Sequence, residues 1–251
     1  MKFFKNKNTR VFILVVGTLA IAGIVLSFFF TGSQKRFIDP RVSLAFELYE
    51  KYNGFAEAGM YDSVFVLMDT IERIYRQYPH YQASYEVGVL YNNRAAAHIA
   101  MALEPGLDSL KRDSLLNLAQ IHAYSSISIY TTWIKYWGNL SEEEIRQKIK
   151  PYFSPYDELF RNKNTGRFID KRVSQIVEAQ VETLRRLSVA MTNLGIVLRH
   201  QHMLDDAVQK YLQALELWPD NLAAENNLNV IFGKPLRQRS ILRTIFPKDR
   251  I

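Results

Sequence analysis

The side chains that could do chemistry in this chain are few and scattered. Cysteine is absent, which excludes disulfides and thiolate metal sites. The five histidines are His80, His98, His122, His200 and His202, and only the last two are close in sequence. Two residues apart on a helix, His200 and His202 point to different sides, so they make a poor pair of ligands. The sequence contains no H-E-x-x-H pair, no glycine-rich phosphate loop and no nucleophile elbow. The acidic run Glu142-Glu143-Glu144 follows Ser141, a pattern that fits a capping box and a solvated helix start better than paired acid–base carboxylates. No catalytic residue, metal or cofactor is expected, and the chain does not read as an enzyme.

Charge is equally specific in its placement. The net charge is +7. Lys2, Lys5, Lys7 and Arg10 make a basic tail over 1–10, and Lys234, Arg237, Arg239, Arg243, Lys248 and Arg250 oppose only Asp249 over 234–251. The body between is close to neutral. A nucleic-acid binder spreads its basic residues over a folded face, so neither nucleic acid nor a small-molecule substrate is expected as a partner.

Between the N-terminal tail and the body lies VFILVVGTLAIAGIVLSFFF (11–30), without a single charge. At ~1.5 Å per residue it spans about 30 Å, the thickness of a bilayer's hydrocarbon core. It is longer than a secretory h-region and runs into Phe28, Phe29 and Phe30 with no A-x-A cleavage pattern after it, so it reads as an uncleaved signal anchor. Basic residues favour an inside N-terminus. The expected arrangement is a cytoplasmic tail, one transmembrane helix, and a body on the far side, the periplasm of a bacterium.

The rest predicts helix after helix, with Gly and Pro falling between elements. One phrase occurs twice, RFIDPRVS at 36–43 and RFIDKRVS at 167–174. Asp39 before Pro40 is a helix start, because an Asp cap accepts first-turn N–H groups and Pro is tolerated at the first helical position. Asp170 reads as the same start without the proline. The phrase thus opens two helical blocks, 31–136 and 167–233. A punctuated helical linker over 137–166 separates them, and residues 222–232 form a capping helix.

The unit SVAMTNLGIVLRHQHMLDDAVQKYLQALELWPDN (188–221) resembles a tetratricopeptide repeat. Leu194, Gly195, Ala207, Tyr211, Ala214 and Pro219 stand at the spacing of that 34-residue helix–turn–helix unit. The small residues permit close helix approach, Tyr211 and Ala214 lie on the inner face, and Pro219 ends the second helix. A looser unit covers 46–79, and a third begins at Gly88, its second helix delayed to about 115–136 by LEPGLDSLKRDS. The resemblance implies an all-α fold of antiparallel helix hairpins, an α-solenoid, behind a single transmembrane helix. It also implies a concave groove for protein partners. Asn53 and Asn93 match family asparagines that hold a C-terminal carboxylate, although Tyr49 replaces the lysine of that clamp. Thr192, Arg199 and His200 fall on first-helix positions that could face the groove. The expected function is a membrane-anchored scaffold or assembly factor for partner proteins of a membrane complex, on the periplasmic side. The alternatives are a cytosol-facing receptor for protein C-termini and an obligate structural subunit of a larger membrane machine.

Overall fold

The computed structural model describes residues 37–238. The basic tail 1–10, the apolar segment 11–30 and residues 239–251 lie outside the described residues. Within them every α or 3-10 element is helical and there is no strand, so the described chain is all-α. The α-helices are α1 (Ser43–Glu57), α2 (Tyr61–Arg76), α3 (Tyr85–Ala102), α4 (Ser109–Trp137), α5 (Glu142–Ile149), α6 (Thr165–His200), α7 (Leu204–Leu217) and α8 (Leu222–Ile231). Among the described residues no helix is long and apolar enough to cross a membrane.

Two hairpins are sealed in the same way. In α3 and α4, Gly88 lies under the ring of Tyr130, and Ser126 Oγ donates to the Gly88 carbonyl at 2.9 Å. Further along, Ala102 shares a buried cluster with Leu116. Positions that rise on α3 meet positions that fall on α4, so the two run antiparallel. In α6 and α7, Gly195 lies under Tyr211, and Ser188 Oγ donates to the Ala214 carbonyl at 2.6 Å. Ala207, Tyr211 and Ala214 are fully buried. Helix α7 stops at Leu217, where Trp218 turns extended (ψ 94°) ahead of Pro219, as the residue before a proline prefers.

The duplicated phrase behaves differently in its two copies, and its single difference explains why. Asp39 accepts the N–H of Arg41 at 3.0 Å and caps a turn that enters α1 at Ser43. Asp170, expected to cap a second helix, lies instead inside α6, which begins at Thr165 after Asn164. Pro40 cannot donate a backbone hydrogen bond and disfavours helix before it, whereas Lys171 does neither, so α6 runs straight through. Asp170 is left exposed and pairs with Arg146. The two copies nevertheless meet: Phe37 and Phe168 pack edge to face at 5.6 Å, and Val42 and Val173 are both buried.

The linker over 137–166 is part of the packed body. Ser141 and Glu144 form the reciprocal capping box. Ile145, Ile149, Phe153 and Phe160 bury against Trp133, Phe168 and Val173. The two sequence blocks also pack on each other, since Ala95 and Ala123 share a core with Leu194 and Leu198. The half-buried Asn92 and Asn193 amides join α3 to α6 at 3.0 Å.

At the centre is a buried ion pair. Arg172 of α6 meets Glu86 of α3 with both side chains almost wholly enclosed. The guanidinium also lies over Tyr81, 4.5 Å from the ring centre. Burial opposes the charge on each partner, but the pairing more than offsets it: the Glu86 carboxyl is held below its usual range and Arg172 well above its own. Beside them Asp39 binds Arg41 through contacts of 2.8–3.0 Å. His80 Nε2 stands 3.7 Å from Asp39 Oδ2, too far for a hydrogen bond, and its ring stacks on Tyr152. Burial pushes Asp39 up, yet His80 and Arg41 bring its carboxyl down to about 2.

Candidate protein-binding cleft

Helices α1 and α6 diverge enough to leave a cleft of about 480 Å³ between them, with Tyr85 of α3 also lining it. One wall is α1, from which Phe46, Glu47, Tyr49 and Glu50 line it, and the other is α6, with Lys171, Gln175, Glu178, Ala179, Glu182 and Arg186. Each wall presents its side chains at intervals of three or four residues, so each set lies on one helical face. Four carboxylates face two cations. Burial lowers Lys171 from its ordinary value, against the pull of Glu178. Arg186 lies over the Tyr85 ring at 5.1 Å, and its enclosed Nη1 has no hydrogen-bond partner among the described residues.

The residues singled out in the sequence distribute unevenly about this cleft. Asn93 donates to the Tyr49 hydroxyl at 3.0 Å, which ties α3 to α1 and orients a cleft-lining ring. Tyr49 in turn stacks on Tyr52 at 5.6 Å, and burial pushes the Tyr52 hydroxyl up to about 12. Asn53 is exposed one turn beyond Tyr49 on α1. Thr192, expected to face a groove, is buried. Its hydroxyl donates to the Ser188 carbonyl and accepts from Asn221, which caps α8. The physical reason is that the start of α8 packs on this side of α6. Arg199 and His200 sit half-buried at the far end of α6, side by side at 3.3 Å. They lie about 20 Å along the helix from Arg186, at ~1.5 Å per residue, and do not join the cleft.

Sequence reasoning missed Glu47, Glu178 and Arg186. The i,i+4 spacing of Glu178 with Glu182 was visible, but only the tertiary structure sets the two helices face to face. It also missed a histidine pair. His98 of α3 and His122 of α4 lie 5.3 Å apart between ring centres, far apart in sequence. Among the described residues each has an enclosed Nδ1 without a hydrogen-bond partner. Among the described residues no three His, Cys, Asp or Glu side chains gather as a metal site.

Burial, with His122 adding to it, lowers His98 to about 4 from 6.5. Between those values the unfolded chain binds a proton that the folded chain refuses. Folded stability therefore falls as pH drops from 6.5 towards 4, by ~2 kcal/mol at pH 5 from this group alone. Replacing His98 by leucine should flatten the loss in melting temperature between pH 7.5 and 5. An equally steep profile in the variant would assign the dependence elsewhere.

The chain matches no protein-family model, no curated protein and no solved structure.

Proposed function

We propose that this chain is a membrane-anchored helical scaffold of tetratricopeptide-like hairpins, and that the cleft between α1 and α6 receives a protein partner. The observation that carries the reading is the cleft itself, an open site of about 480 Å³ with aromatic and charged lining. Tyrosine and arginine are the side chains that protein interfaces favour, because they give large contact area at small entropic cost. The glycine–tyrosine closures of α3–α4 and α6–α7 support the repeat resemblance. The anchor reading rests on the uncharged segment 11–30, and the basic residues before it favour an inside N-terminus with the body on the periplasmic side. The chain then holds its partner beside a membrane complex.

A photo-crosslinking residue at Asn53 or Gln175, in cells, tests the cleft. Both positions should yield one shared adduct with a partner protein, and the same residue at Leu110 of α4 should not, because α4 does not line the cleft. Adding Tyr49→Ala should cut the adduct about tenfold, as truncating an aromatic anchor costs on the order of 1–2 kcal/mol. Identical adducts from Leu110 would sink the reading. A topology reporter fused after Ile251 checks the side of the membrane, and a cytosolic signal would reverse it.

A further inference from the structure

The cleft has a candidate occupant within the chain. We infer that the basic segment 239–251 docks in the cleft between α1 and α6 of its own chain and covers it until a partner displaces it. Two observations converge on this.

The first is charge. Glu47 on one wall and Glu178 on the other are exposed carboxylates that line the cleft, while Glu182 is already paired with Arg185 at 2.6 Å. The segment carries Arg239, Arg243, Lys248 and Arg250 against Asp249 alone. It also carries Ile241, Leu242, Ile245 and Phe246, which suit the aromatic floor.

The second is direction. Past α8 the chain turns back along it. Lys234 N–H donates to the Asn229 carbonyl, and Arg237 N–H donates to Asn226 Oδ1, so the chain runs back antiparallel to α8 towards its start. Arg237 is held there by Glu225 at 2.7 Å. The start of α8 is Asn221, whose amide bonds Ser188 at 2.8 Å. Ser188 lies two residues from Arg186, the near end of the cleft. From Arg186 back to Lys171 is about 22 Å of helix at ~1.5 Å per residue. Residues 239–251 reach ~43 Å extended at ~3.3 Å per residue, enough to enter the cleft and run its length.

The inference goes beyond partner capture and is tested on the purified full chain in detergent micelles with no partner present, so its outcome does not depend on that reading. The natural chain lacks cysteine, which makes the background clean. Gln175→Cys with Ile245→Cys, treated with a short flexible bis-maleimide, should give an intrachain product. Leu110→Cys with Ile245→Cys is the control on a helix outside the cleft. The cleft pair should react about tenfold faster, because docking raises the local concentration of the segment. Glu47→Gln with Glu178→Gln, both on exposed side chains, should remove most of that advantage and speed trypsin cleavage after Arg243 about tenfold, as lost charge complementarity weakens docking. Equal rates at Gln175 and Leu110, or no response to the two glutamine substitutions, would overturn the inference. Cross-linked dimers in place of the intrachain product would overturn it in favour of a second copy's segment.

Discussion

Replacing Glu86 by glutamine should destabilise the chain by about 3–5 kcal/mol, because it leaves the guanidinium of Arg172 buried without its counter-charge. Taking two charges out of water is costly. Removing one partner retains the burial penalty of the other and discards the attraction that offset it. A variant that removes both charges, Glu86→Leu with Arg172→Met, should recover most of the loss, since a well-packed apolar pair of similar volume is often as stable as the ion pair it replaces. Denaturant unfolding of the three chains decides this. A glutamine variant within about 1 kcal/mol of the natural chain would show that water reaches Arg172 and that the pair is not structural. The acid profile gives a second reading. Pairing holds the Glu86 carboxyl below its usual 4.5, so its stabilisation is complete above that pH and is lost as pH falls through the folded-state value. The Glu86→Leu, Arg172→Met chain should lack this part of the acid transition, while the part carried by Asp39, held to about 2, remains.

Enlarging Gly195 should be the next most damaging change. A Cβ built there lies 2.5 Å from the Tyr211 ring, closer than van der Waals contact allows. The ring is fully buried and cannot swing aside. Gly195→Leu should therefore cost about 1–3 kcal/mol by forcing α6 and α7 apart. Gly88 has the same relation to Tyr130, and Gly88→Leu should cost a similar amount at the other hairpin. The mechanism is separable from lost helix flexibility by a cycle. Gly195→Ala combined with Tyr211→Leu should be less destabilised than the sum of the two single changes by at least ~1 kcal/mol, because the second removes the group the first strikes. Strict additivity would mean that the glycine matters for another reason.

These two results bear on how much of the molecule is legible in one dimension. The closure of α6 on α7 was readable, because Gly195, Ala207, Tyr211 and Ala214 repeat at spacings set by the 3.6-residue turn, and a Pro after Trp218 stops a helix wherever the chain places it. The Ser141–Glu144 capping box was readable for the same reason: its partners are three residues apart. The matching closure at Gly88 and Tyr130 was not, because the delayed second helix moves the tyrosine out of the expected register.

Sequence alone determined what local chemistry determines. That covers the all-helical character of the described chain, the Ser141 cap, the stop of α7 before Pro219, the uncharged segment 11–30 and the absence of cysteine. It also supplied the duplicated phrase, but misjudged Asp170, since the helix that starts at Thr165 passes through a position where no proline stops it. Only the tertiary structure decided which distant residues meet. Glu86 and Arg172 stand 86 positions apart, and neither shows its partner locally. The same holds for His98 with His122, for Asn93 with Tyr49, and for the carboxylates that face each other across the cleft. Thr192 shows the converse: its helical position allowed a groove-facing side chain, and the packing of α8 enclosed it. Periodicity fixes the face of a helix on which a residue lies. What that face meets is set by the packing of the other helices, where burial weakens a histidine's hold on its proton and leaves an arginine reliant on one carboxylate.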